Sequence, residues 1–140
     1  MAAIIASSLP AQDVSRGTPV GYWNTISEDG RPTAIVEIQR QSNGEFIGVV
    51  RGLLVAATRE DSVCSKCSDE RRGQPVVGMT ILRHMREDGD EWTGGEILDP
   101  ENGKTYRATM KLADGGRTLV VRGYIGLSIF GRSQKWNRRQ

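Results

Sequence analysis

The chain has 140 residues and a net charge of +2, from 19 basic and 17 acidic side chains, so it is sized for one domain that can bury a real core or enclose a small cavity. The charges are well mixed, which argues against a nucleic-acid binder, where a basic stripe would be concentrated. No stretch reaches the roughly 18 apolar residues of a membrane helix.

The opening residues, Ala2-Ala3-Ile4-Ile5-Ala6 and then Ser7-Ser8-Leu9-Pro10-Ala11, read as the end of an apolar signal region and a small-residue cleavage zone without its basic start. Residues 1–15 are therefore set apart as a leader remnant, and 16–140 as a single domain. From there, five Asn-Gly or Asp-Gly pairs punctuate the chain: Asp29-Gly30, Asn43-Gly44, Asp88-Gly89, Asn102-Gly103 and Asp114-Gly115. Such pairs suit both central positions of the tight turns that match strand twist.

Strands are expected at Tyr22 to Ile26, Thr33 to Arg40 and Glu45 to Leu54, the last with Phe46, Gly48, Val50 and Gly52 on one face. Residues 57–75 then break the pattern with many charges and both cysteines, a long excursion that is either functional or tied down. Strand character resumes at Val76 to Arg83, Trp92 to Leu98, Lys104 to Leu112, Arg117 to Ile125 and about Ser133 to Arg138. No segment carries a convincing 3.6-residue period; the best short helical candidates are a turn in the cysteine loop and Gly126 to Phe130. Eight antiparallel strands in hairpin order are best closed as an all-β, eight-stranded up-and-down barrel, which removes exposed edges and encloses side chains or one small ligand.

Gly21-Tyr22-Trp23 opens the first strand and Trp136-Asn137-Arg138 closes the last. Between them, in order, come Cys64-Ser-Lys-Cys67, Pro75-Val-Val-Gly78, Trp92-Thr-Gly-Gly95, Asp99-Pro-Glu-Asn-Gly-Lys-Thr-Tyr106, Arg122-Gly-Tyr-Ile-Gly126 and Gly131-Arg132-Ser133-Gln134. Over residues 20–138 the chain resembles the bacterial family called domain of unknown function 2147. The resemblance implies a small, usually exported, lipocalin-like domain with no established activity and no catalytic residues to carry over. It also implies closure by a basic residue, Arg138, across the Trp23 indole, where cation–π attraction would cap the barrel end.

Cys64 and Cys67 most simply form a disulfide in an exported protein. A redox pair would need a helix N-terminus to stabilise a thiolate, and a zinc site would need His84 with Asp61 or Asp69 to complete the set. His84 itself reads as a solvated or hydrogen-bonded histidine at a strand end. No Ser/His/Asp arrangement supplies a base for nucleophilic hydrolysis. The carboxylate pairs Glu96/Asp99 and Asp99/Glu101 sit where turn capping is the simpler role. No catalytic residue, cofactor or metal is expected.

A ligand-binding interior is assigned to Trp23, Arg51, Tyr106 and Tyr124, aromatics with a polar tip and an arginine for an anionic headgroup. Arg83, Arg107 and Arg122 are alternatives of the same kind. Space for a ligand depends on whether facing side chains fill the room beside Gly48, Gly52, Gly78 and Ala108. Three functions follow in order. The first is a periplasmic or secreted barrel that binds a small hydrophobic or amphipathic molecule. The second is a filled barrel that contacts another envelope protein through the cysteine loop. The third is a small hydrolase or isomerase with a carboxylate inside the barrel.

Overall fold

In the computed structural model the described residues are 17–55, 59, 61–126 and 131–140. The leader at 1–15 and most of Gly126 to Phe130 fall outside them. Eight antiparallel strands close on themselves in sequence order: β1 Gly21–Ile26, β2 Pro32–Arg40, β3 Phe46–Leu53, β4 Thr80–Asp88, β5 Glu91–Asp99, β6 Lys104–Ala113, β7 Thr118–Tyr124 and β8 Arg132–Arg138. The barrel is thus all-β and up-and-down, as the turn spacing requires. Among the described residues a single 3-10 turn, Asp114–Gly116, interrupts it. Among the described residues no helix is long and apolar enough to cross a membrane.

The turns form where expected but not in the expected conformation. Gly30, Gly44, Gly89 and Gly103 have positive φ, whereas the Asn or Asp before each does not; only Asp114 joins its glycine there. Gly44 N–H donates to Gln41 O and Gly30 N–H to Ser27 O, the closure of a turn followed by a left-handed glycine. The Asn and Asp side chains act instead as acceptors two residues ahead: Asn43 Oδ1 from Glu45 N–H at 2.9 Å and Asn102 Oδ1 from Lys104 N–H at 2.8 Å. That is the side-chain mimicry of a turn for which these residues are favoured.

β4 is displaced from its expected span by about one turn of sequence. Val76 and Val77 look like strand, but Gly78 takes φ 93° and His84 takes φ 65°. The β3–β4 ladder slips twice, pairing only Phe46 with Met85, Gly48 with Leu82 and Val49 with Thr80. The charged run to Asp88 then completes β4 because its outer face is solvated.

The pairing register fixes the inner face. Trp23 lies opposite Val36, Ile38 opposite Gly48, Gly48 opposite Leu82, Met110 opposite Val121, and Leu119 opposite Trp136. All are buried. The three tryptophans crowd this core, with Trp92 edge-on to Phe46 at 6.1 Å between ring centroids. Room beside the inward glycines is taken up: a Cβ on Gly48 would lie 2.9 Å from Leu82, and one on Gly95 would overlap the Met85 sulfur. Gly52 does not share this face. The ladder slips between Ile35 and Val36, Gly52 pairs with Ile35 and packs beneath its side chain on the outer wall, and Leu53 turns inward.

Candidate functional site

One end of the barrel is sealed by the residues that carried the sequence resemblance. Trp23 is fully buried, its indole N–H donating to Pro19 O at 2.8 Å. The Arg138 guanidinium lies 4.3 Å over the ring and donates to the carbonyls of Thr18, Val20 and Gly116. Three backbone acceptors and a π-face hold one cation, and a charge so held is worth more than at an exposed site. Gly21 is required here: its φ is 138°, and a Cβ would stand 2.9 Å from Arg138 Nη1. Trp23 therefore belongs to the sealed end and lines no accessible space, which corrects its assignment to a ligand site.

The cysteines form the Cys64–Cys67 disulfide, and both are buried. Their loop straps the outer wall of β4 and β5 and reaches the β5–β6 turn beside the mouth, where Cys64 Sγ lies 3.6 Å from Pro100 O. Ile81 and Leu98 face away from the barrel axis, on the side opposite Leu82 and Ile97, yet both are buried. The strap is the reason. Arg71, 6% exposed, donates through Nε and Nη2 to Asp69 and through Nη1 to Thr80 O at 2.8 Å. Arg83 reaches Glu70 at 2.8 Å and Glu96. Hydrogen bonding from Arg71, first through its side chain and then its backbone, lowers Asp69 from an ordinary 3.8 to about 2. At the upper edge Lys66 carbonyl seats where Gly103 has no side chain. The disulfide is thus enclosed in a small outer core and offers no surface of its own. A depression of about 620 Å³ opens between this strap and β3–β4, lined by Ile47, Pro75, Met79, Glu45, Arg83 and His84. His84 Nδ1 lies 3.5 Å from Glu45 Oε2. Among the described residues no group of three or more metal-ligating side chains converges.

At the opposite end the described inner-facing residues are less completely buried. Above the buried layer of Val36, Val50, Leu82, Ala108 and Val121, the next inner-facing positions, Ala34, Leu53, Ile97, Tyr106 and Gly123, are only half-buried. Their common facing follows from the register: Ala34 opposite Leu53, Ile97 opposite Tyr106, and a Cβ on Gly123 would touch both Tyr106 and Ile97. On β8, Gln134 lies opposite Val121 and Arg132 opposite Gly123, and both are exposed. Among the described residues the result is a shallow cup one residue layer deep, apolar on the β2, β3 and β5 side and polar on β6 and β8.

Of the four side chains assigned to a ligand site, only Tyr106 lines this cup; its hydroxyl accepts from Asn102 Nδ2 at 3.1 Å. Arg51 points outward to Glu37, 2.9 Å away, and neutralises a neighbour on the solvated wall. Tyr124 lies opposite Arg107 and so shares the outer face, as do Arg83, Arg107 and Arg122. Leu53, Ile97, Gln134 and Arg132 were not singled out from sequence, although counting back by twos from Trp136 reaches the last two.

The chain belongs to the bacterial family described as uncharacterized protein conserved in bacteria (DUF2147), which matches residues 21–138. No curated protein matches it. Among solved structures it is similar to protein HP1028 from the human pathogen Helicobacter pylori, which is described as belonging to the lipocalin family. The two share 17% identity over 88% of this chain and 84% of that one, with a TM-score of 0.74. The chain is thus a lipocalin-like barrel of an uncharacterised family, and at that identity the likeness concerns the fold.

Proposed function

We propose that this protein is an exported barrel of the bacterial cell envelope that binds a small hydrophobic or amphipathic molecule in the cup at its open end. The observation that carries the reading is the half-buried inner layer of Ala34, Leu53, Ile97 and Tyr106 above a closed, packed floor. Apolar side chains left part-exposed inside a concavity, with a few polar groups on one side, are the usual composition of a small-molecule site. The disulfide supports the compartment, since such bonds persist where thiols are oxidised.

Native and denaturing mass spectrometry of protein taken from its own host's envelope tests this. Extra mass that is lost on denaturation is the expected result. A clean apo mass, together with no uptake of an added apolar fluorophore, would sink the reading. In that case the depression between the strap and β3–β4 favours the second one, a filled barrel that contacts another envelope protein on its outer wall.

A further inference from the structure

The two walls of the cup differ in chemistry, and the difference has a sign. On the β6 and β8 side the inner-facing polar groups are donors. Tyr106 uses its oxygen as an acceptor, which leaves its O–H free to donate. Gln134 accepts the Trp136 indole N–H through Oε1 at 3.3 Å, which fixes the amide with its NH₂ directed away from that indole. Arg132 stands at the rim two residues beyond, about 7 Å along the same face. Its ion pair, with Glu28 at 3.7 Å, joins two side chains each more than 90% exposed. A pair of that kind holds weakly and competes poorly. By register Lys104 adds a further cation to the rim, opposite Asp99. Asp99 is the inner-facing carboxylate at this end among the described residues; its Oδ1 accepts Glu101 N–H, and its charge offsets that of Lys104 across the ladder, which leaves Arg132 as the cation the head would meet.

A concavity with apolar residues on one wall and unspent donors on the other fits an amphiphile whose head only accepts hydrogen bonds and carries negative charge. We propose that the cup selects a free, single-chain anionic amphiphile of carboxylate type. Arg132 and Gln134 hold the head at the rim, and the chain lies against Leu53 and Ile97. The proposal rests on the cup being the binding site, and it makes Arg132 the residue that sets head-group specificity. The shallow floor favours a short chain, because the layer of Val36, Leu82 and Val121 beneath is already filled.

The test is displacement of 1-N-phenylnaphthylamine from the full chain by octanoate, octanol and octylammonium, in wild type, Arg132→Gln and Glu28→Gln. Octanoate should bind about fivefold to tenfold more tightly than octanol, as a charge-assisted contact at a part-exposed rim allows. Arg132→Gln should close that gap and leave octanol unchanged. Glu28→Gln should tighten octanoate about twofold by removing the competing carboxylate. Both side chains are exposed, so neither change threatens the fold.

Equal binding of octanoate and octanol, or preference for octylammonium, would overturn the head-group inference while the cup stands. A gap that survives Arg132→Gln would overturn the assignment to that residue. Failure of the fluorophore to bind at all would remove both readings together. Sedimentation with phosphatidylglycerol vesicles, without any response to octanoate, would also overturn the proposal, since the anion would then be read at a bilayer surface and not in the cup.

Discussion

Gly103 and Gly30 form a matched pair that isolates the seating of the disulfide strap. Both are turn glycines with positive φ, 73° and 86°, but a Cβ on Gly30 meets nothing within 4 Å, whereas one on Gly103 would overlap the carbonyl of Lys66. Gly30→Ala should therefore cost only the left-handed conformation, about 1 kcal/mol. Gly103→Ala pays the same and must also displace Lys66 by more than an ångström, because a backbone atom cannot rotate away. Lifting the strap there exposes part of the outer core of Ile81, Leu98 and the disulfide. Losing half the burial of one such side chain adds about 1–2 kcal/mol at 25 cal/mol per Å². The expected totals are about 1 kcal/mol for Gly30→Ala and about 2–3 kcal/mol for Gly103→Ala. Urea unfolding measures both, and the second variant should also surrender its Cys64–Cys67 disulfide to mild reductant before global unfolding. Equal losses in the two variants, with unchanged resistance of the disulfide, would refute the docking of the strap on the β5–β6 turn.

Three further outcomes are expected. Trp23→Ala should cost about 3–5 kcal/mol, because the ring is fully buried beneath Arg138; a loss well under 1 kcal/mol by urea unfolding would place the tryptophan outside the closure. Protein prepared without reductant should show no free thiol among Cys64 and Cys67, and stoichiometric maleimide labelling would contradict this. Asp69 has a folded pKa lowered from 3.8 to about 2 by its bonds to Arg71. Its contribution is therefore complete above pH 4 and fades as pH falls toward 2; after allowance for a side chain 29% exposed it amounts to about 1–2 kcal/mol. Urea midpoints at pH 5 and pH 2.5 should fall less steeply in Asp69→Asn than in wild type, and parallel slopes would show that Asp69 is not coupled to folding.

The architecture was legible because turn chemistry and alternation are local. Asx-Gly pairs place the reversals, and eight segments between them leave a closed barrel as the simplest way to remove edges. What local patterning could not supply was parity across a bulge. A strand's alternation names two faces, and one inserted residue exchanges them. At β2–β3 the slip near Val36 sends Gly52 outward and Leu53 inward, so the alternation that puts Gly52 on the face of Phe46, Gly48 and Val50 assigns Leu53 to the wrong wall. At β4 the left-handed His84 resets the phase. A side chain standing mid-strand, such as Arg51 or Tyr124, has no local mark of which wall it faces; only the register with Glu37 or Arg107 decides. The strap is a different case. Its outward-facing Ile81 and Leu98 look like errors of alternation until a second layer covers them, and the one sequence sign of that layer is a long charged excursion held by two cysteines. Where the strand runs without interruption the count does work. From buried Trp136 it gives Gln134 and then Arg132 on the inner face. Their exposure there is what separates an open donor wall from a filled barrel end: were this end packed like the Trp23 end, those two polar side chains could not face the axis without buried partners.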